Sequence, residues 1–217
     1  LLKKALERRE LTLMLLLMVL LVPITIRSPQ FLSGENINRI LNDMAILSIV
    51  AIGEFLVILS NGIDLSVGSI IAFTGMACGM INESYASVPP FVLLLVGMGI
   101  GLLMGLFNGV LVAYGKIPPI ITTLGTVNIY RGLTFLLSKG TWVTAHEMSP
   151  SYIGFPRTTF LGISYLLWIA FVVIAVFYYF SRFTRTGREV YAIGGNPTAA
   201  KFVGVNENRV RVVVFLI

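Results

Sequence analysis

Long apolar runs separated by short polar interruptions dominate this chain. Runs at 11–26, 44–60, 66–81, 91–114, 118–137 and 165–180 each approach the length of a bilayer-crossing helix, and a seventh begins near Val212. About 20 apolar residues in a helix cover roughly 30 Å of hydrocarbon, with about 17 as the usual lower limit. The pattern therefore predicts an all-α, polytopic transmembrane bundle. It is read as one domain over 1–217, with six complete spans and the start of another. The first run follows Lys3, Lys4, Arg8 and Arg9, as a signal peptide would. No small-residue cleavage site follows it and further apolar runs do, so it is read as the first span. The chain opens on Leu1 and stops inside the apolar run 212–217, and is expected to be part of a longer protein.

Composition strengthens this reading. Hydrophobic residues make up 56% of the 217 positions and charged residues only 12%, about half the charge of an average soluble domain. A chain of this size has too much surface to hide so much apolar material from water. The net charge of +6 points to membrane orientation rather than to nucleic acid once the charges are located. With the N-terminus inside, eleven of the 16 lysines and arginines fall on the inner segments 1–10, 61–65, 115–117 and 181–211. Four (Arg27, Arg39, Lys139 and Arg157) fall on the outer segments, and Arg131 lies within a span. That asymmetry is the one that sets orientation in membrane proteins. The single cysteine, Cys78, and single histidine, His146, offer neither an intrachain disulfide nor a metal cluster.

Polar groups inside the apolar runs are the next signal, because each is expensive in lipid and so tends to face protein or water. They are Glu54, Asn61, Asp64 and Ser66, Asn108, and then Thr122, Thr123, Asn128 and Arg131. Each has a structural and a functional reading. Asp64 or Ser66 caps the helix that starts there, Asn108 makes a helix–helix hydrogen bond, and Glu54 pairs with Arg131. Alternatively, these residues line a hydrophilic passage, which a solute rich in hydroxyls requires. The interruption at GIDLSVGS has the form of a broken helix, which presents backbone ends at a transport site. Gly97, Gly101, Gly105 and Gly109 recur every four residues and form a smooth stripe for close helix packing.

The polar stretch 181–211 is too long for a tight turn. Gly194 and Gly195 suit a turn, Asn196 an N-cap, Pro197 the first helical position and Gly204 a stop, predicting a short helix over 198–203. Presented on the inner face, such a helix docks a soluble partner. The other reading is a helix lying on anionic lipid through Arg182, Arg185, Arg188 and Lys201.

Three strings carry a resemblance: GEFLVILSNGIDLSVGSIIAF, GLFNGVLVAYGKIPPIITTLGTVNIYRGL and TRTGREVYAIGGNPTAAKFVGV. In this order they resemble the permease subunit of ribose-type ABC sugar importers, and with the spans they cover nearly the whole chain. Family members usually read GGIDLSVG, so Asn61 stands here in place of a glycine. The resemblance implies a bacterial inner-membrane permease that pairs with a second copy or a close relative. It implies ATPase subunits at the cytoplasmic face and a periplasmic binding protein that delivers a monosaccharide. ATP and Mg would belong to the ATPase, with no cofactor on this chain and no nucleic acid partner. The loop 181–211 corresponds to the family's coupling loop, which assigns Arg188, Gly194, Gly195, Asn196, Pro197, Ala199, Ala200 and Gly204 to ATPase coupling. No GxxxxGK[ST] string is present, so the nucleotide chemistry is not expected here. The alternative class is an ion-coupled secondary transporter using Glu54, Asp64 and Arg131 as a charge relay.

Overall fold

The computed structural model describes residues 9–217, with side chains from Leu11 onward; Lys3, Lys4 and Arg8 of the N-terminal basic cluster lie outside the described residues. The architecture is helical: α1 (Arg9–Arg27), α2 (Gly34–Leu59), α3 (Val67–Ser84), α4 (Pro90–Ala113), α5 (Pro119–Ser138), the short α6 (Pro150–Gly154), α7 (Tyr165–Phe183), α8 (Arg185–Gly195), α9 (Pro197–Phe202) and α10 (Glu207–Leu216). A minimal antiparallel hairpin, β1 (Thr159–Phe160) with β2 (Ile163–Ser164), precedes α7. The chain divides into two compact units, 1–44 and 45–217, with the boundary inside α2.

Four helices, α2, α4, α5 and α7, are long and apolar enough to cross a membrane. The apolar part of α1 is shorter, and in α3 Ser, Thr, Gly and Asn dilute the Ile, Met and Phe residues. By length and composition, four of the six expected spans thus correspond to helices that qualify to cross a membrane, and the runs in α1 and α3 are shorter or less apolar. α2 also begins ten residues before the expected start at 44. Polar residues over 34–43 hid that extension, yet an i,i+4 ion pair between Glu35 and Arg39 at 2.7 Å favours helix there.

Within 45–217 the usual soluble pattern is inverted. Asn82, Asn108, Ser66 and Thr123 are fully buried, whereas Leu103, Phe135, Leu136 and Val172 are among many large apolar side chains facing outward. Lipid removes the penalty for exposed hydrocarbon and raises the one for unsatisfied polar groups, so polar side chains turn inward to find partners. The densest apolar core joins Leu56 and Val57 of α2, Val112 of α4, Val190 and Ile193 of α8, Ala200 of α9, and Val210, Val214 and Phe215 of α10. It therefore ties the polar-loop helices to two long apolar ones.

The glycine stripe of α4 is a packing face. Gly105 and Gly109 lie against the backbone of α10 at Phe215 and Val212, and Gly97 against the Cys78 sulfur, while Gly101 opens onto free space. At the other end of the bundle, Asn82 of α3 donates to Ser149 Oγ (3.0 Å) and accepts from its N–H (2.8 Å). This fastens the segment ahead of α6. Nearby, the Glu147 carboxylate accepts from the Thr144 N–H and hydroxyl, which holds its pKa below the usual glutamate value.

Candidate functional site

Between α2 and α3 the chain leaves the helix for seven residues, Ser60 to Ser66. Asn61 takes a left-handed conformation, φ 60°, a region that asparagine tolerates better than other residues with a side chain. This backbone conformation is one that glycine also adopts freely. The Asn61 amide also reaches across the fold, donating to the carbonyls of Ile193 (3.2 Å) and Gly194 (3.4 Å) at the end of α8. Asn61 thus joins the broken segment to the polar-loop helices.

Asp64 folds the segment locally. Its Oδ1 accepts from the Ser66 N–H and from the Ser66 hydroxyl, both at 2.6 Å. Ser66 itself makes no side-chain capping bond, so the carboxylate organises the entry to α3 through an Asx turn. With its hydroxyl so aimed, Ser66 accepts from Asn108 Nδ2 at 2.8 Å. Asn108 Oδ1 in turn lies 3.2 Å from the Tyr130 hydroxyl, which donates to the Met104 carbonyl at 2.8 Å. From α5, Thr123 Oγ1 accepts the Leu65 N–H (3.1 Å) and donates to the Ile63 carbonyl (3.3 Å). α5 thereby supplies partners to the non-helical backbone and α4 to the Ser66 side chain, as a break among apolar helices requires.

Asn108 is 0% exposed and central to this network. Replacing it by leucine removes its bonds to Ser66 and Tyr130, which keep Asp64 and the Met104 carbonyl as partners, at about 0.5–1.5 kcal/mol per lost bond. Asn108→Leu is therefore expected to lower the thermal midpoint of the detergent-purified protein, and a midpoint equal to the parent's would show that the network is incidental. Tyr130 was not anticipated from sequence. The signal available was its register, since Thr122, Thr123, Thr126, Tyr130 and Thr134 share the buried face of α5. Thr122 Oγ1 is buried there without a partner among the described residues.

Glu54 and Asp64 come together in a cavity of about 310 Å³, walled by Gly53, Val57, Ile70, Met98, Gly101 and Phe215 among others. Small-solute sites begin at about this volume. Glu54 does not pair with Arg131: neither forms an ion pair among the described residues. Arg131 and Asn128 instead occupy the outward face of α5, where the Asn128 amide bonds only to its own helix, at the Leu124 carbonyl (3.0 Å). Besides Asn61, which bonds α8, and Thr122, buried without a partner among the described residues, the polar residues of the apolar runs separate into three groups: Asp64, Ser66, Asn108 and Thr123 in the network, Glu54 with Asp64 at the cavity, and Asn128 with Arg131 outside.

The short helix at the polar loop forms as its local signals require. Asn196 Oδ1 accepts the Ala199 N–H at 3.0 Å, Pro197 is the first helical residue, and Gly204 takes φ 84°. Gly194 and Gly195, however, do not form a turn; they end α8, a helix unanticipated from the sequence. Gly194 is the tight position, because a Cβ there would run into the Leu59 carbonyl, whereas Gly195 has open space. Ala200 is buried in the core at 3% exposure, and Arg188 is exposed, with Nη1 donating to the Phe183 carbonyl at 3.1 Å. Phe202 and Val203, absent from the sequence-based selection, stand out at 87% and 78% exposure. The short helix is thus rooted by Ala200 and presents an apolar knob outward.

Comparison with known proteins adds an independent line. Residues 36–217 match the family model described as the permease component of branched-chain amino acid transport systems. The ribose import permease protein of Haemophilus influenzae is 36% identical over 204 residues, covering 93% of this chain and 62% of that protein. The autoinducer 2 import system permease proteins of Escherichia coli O157:H7 and Enterobacter sp. (strain 638) are 34% and 36% identical. Their matches cover 96% and 99% of this chain and 60% and 62% of those proteins. The chain thus spans about three fifths of the length of the curated relatives it matches. No solved structure matches it.

Proposed function

This chain belongs to the family of branched-chain amino acid transport system permease components, and from that premise we propose that it forms part of the membrane subunit of an ATP-driven importer. The solute is a monosaccharide or a related polyhydroxylated molecule, and a periplasmic binding protein delivers it. The subunit lies in a bacterial inner membrane with its N-terminus and residues 181–211 in the cytoplasm. Six passes cross the membrane, with α1 and α3 as the less apolar members. It pairs with a second permease, and the ATPase partner holds ATP and Mg, supplying the phosphoryl chemistry.

The observation that carries this reading is the form of α9. Its Phe202–Val203 knob offers a soluble protein an apolar anchor, and buried apolar anchors dominate binding energy at protein interfaces. Its root, Ala200, belongs to the same core as Leu56 and Val57 of α2. α2 leads directly to the broken segment with Asp64, and Asn61 links that segment back to α8. A push on α9 therefore moves elements that border the Glu54–Asp64 cavity. Closure of the ATPases displaces α9, and the helices rock so that the passage faces one side and then the other. Glu54 and Asp64 accept hydrogen bonds from solute hydroxyls. Asn128 and Arg131 line the route where α5 faces the second permease, since an arginine directed into lipid near mid-span costs about 2.5–3.5 kcal/mol or more. The relatives named for ribose and autoinducer 2 import support a sugar-like solute.

The test uses the full-length permease reconstituted with its ATPase and binding protein in proteoliposomes. Phe202→Ala is expected to weaken ATPase binding about tenfold and to slow import in proportion, with the permease itself still monodisperse. Import that persists without the ATPase and collapses with the ion gradient would make the protein a secondary transporter instead.

A further inference from the structure

At the end of α7 the chain turns sharply into α8, and the elbow is fastened by one side chain. Thr184 Oγ1 donates to the Phe180 carbonyl at 2.6 Å and accepts the Gly187 N–H at 3.0 Å, so the start of α8 is held to the last turn of α7. In the crook lies a cavity of about 710 Å³ lined by Tyr178, Ser181, Arg182, Arg188, Tyr191 and Ala192. No carboxylate lines it.

Three arginines flank the elbow, and their charge balance differs. Arg185 is neutralised by Glu189, Nε to Oε1 at 2.8 Å. Arg188 donates only to the uncharged Phe183 carbonyl. Arg182 makes no ion pair or side-chain hydrogen bond among the described residues. Both arginines that line the cavity are therefore uncompensated, and the third, which does not line it, is paired. The position matters as much as the charge. α7 is long and apolar enough to cross a membrane, and its last turns carry the aromatic cluster Tyr178, Tyr179 and Phe183. Tyrosine rings, apolar with a polar tip, collect at the headgroup level of a bilayer.

We propose that the α7–α8 elbow binds the phosphodiester headgroup of an anionic phospholipid of the cytoplasmic leaflet, with Arg182 and Arg188 as its cationic ligands. The proposal rests on the topology given above, which puts this end of α7 at the cytoplasmic face. Guanidinium groups match phosphate oxygens in pairs, and a leaflet rich in anionic lipid keeps the ligand at high local concentration. Tyr178 and Tyr191 give the cavity walls that are apolar with a polar tip, suited to the glycerol region below a phosphate. α8 runs on into α9, so an occupied elbow braces the arm that carries the proposed ATPase knob.

The experiment takes the full-length permease with its ATPase, delipidated in detergent and titrated with dioleoylphosphatidylglycerol or dioleoylphosphatidylcholine, with retained lipid counted by native mass spectrometry. The anionic phosphatidylglycerol is expected to be retained in preference to the zwitterionic phosphatidylcholine. Arg182→Gln and Arg188→Gln each lower that retention about fivefold, and Arg182→Lys, which keeps the charge and loses the fork, lowers it less. Arg209→Gln makes the same change in net charge on α10 and is expected to leave retention unaltered. An equal loss from Arg209→Gln means diffuse attraction without a site and overturns the proposal. So does a preference shown by the permease alone but lost in the complex, since the ATPase then covers the elbow. Topology is read separately with Lys201→Cys and a membrane-impermeant maleimide. Labelling from outside intact cells overturns the orientation, whereas labelling only from inside, with no preference for the anionic lipid, overturns the lipid site alone.

Discussion

Replacing Gly105 by alanine is expected to destabilise the protein severely, while the same substitution one helical turn earlier, at Gly101, is expected to be neutral or stabilising. Both glycines lie on one stripe of α4, and both gain a single methyl group. At Gly105 that methyl would fall on the Phe215 carbonyl of α10, and at Gly101 it meets nothing within 4 Å. A clash with a flexible side chain is relieved by rotation, but a helical backbone carbonyl moves only if the helix moves. α10 would have to withdraw from α4, opening the core that Val210, Val214 and Phe215 share with Val112. Overpacking typically costs about 1–3 kcal/mol, and a backbone contact belongs at or above the top of that range. Gly101→Ala has the opposite sign available, because alanine is the better helix former by about 1 kcal/mol. Thermal midpoints and gel-filtration profiles of the two detergent-purified variants decide the matter. Equal midpoints would mean that the stripe is not where α10 packs.

The two outcomes are invisible in the sequence, where the four glycines look alike, and this marks where sequence reasoning stops. Features set by local chemistry were legible: Asn196 caps α9 and Pro197 opens it because both signals act within one turn. The apolar runs located the long helices, since lipid imposes length and composition directly. The start of α2 was missed because hydropathy ends where Glu35 to Asp43 begin, although helix does not. α8 was missed for a related reason. A glycine pair signals backbone freedom, whereas Gly194 is small in order to let two helix ends approach. The network was legible in its members but not in its connections. Asn108 meets Ser66 across 42 positions and Asn61 meets Ile193 across 132, and nothing in the local pattern records such pairings. For Arg131 the sequence suggested a partner in Glu54, and the fold turns the two toward different surroundings.

The same distinction between neighbouring glycines yields the functional prediction with the largest expected effect. Gly194→Ala should uncouple import from ATP hydrolysis, and Gly195→Ala should not. At Gly194 a methyl group would strike the Leu59 carbonyl, the last of α2. The end of α8 must then lift from the end of α2, which removes both hydrogen bonds from Asn61 to Ile193 and Gly194. Those bonds and the contact beneath them are the polar link between the arm bearing α9 and the segment bearing Asp64. Asn61→Ala cuts the bonds without a clash against α8, adding only backbone strain at its left-handed φ of 60°, and is expected to act in the same direction, less strongly. Coupling free energies between sites commonly correspond to about 5- to 150-fold effects, so solute imported per ATP hydrolysed should fall within that span for Gly194→Ala. ATPase activity and complex assembly should persist, because the Phe202–Val203 surface is untouched. A parental import-to-hydrolysis ratio in Gly194→Ala would mean that force reaches the cavity by another path, with the apolar core of Val57, Ile193 and Ala200 as the remaining connection.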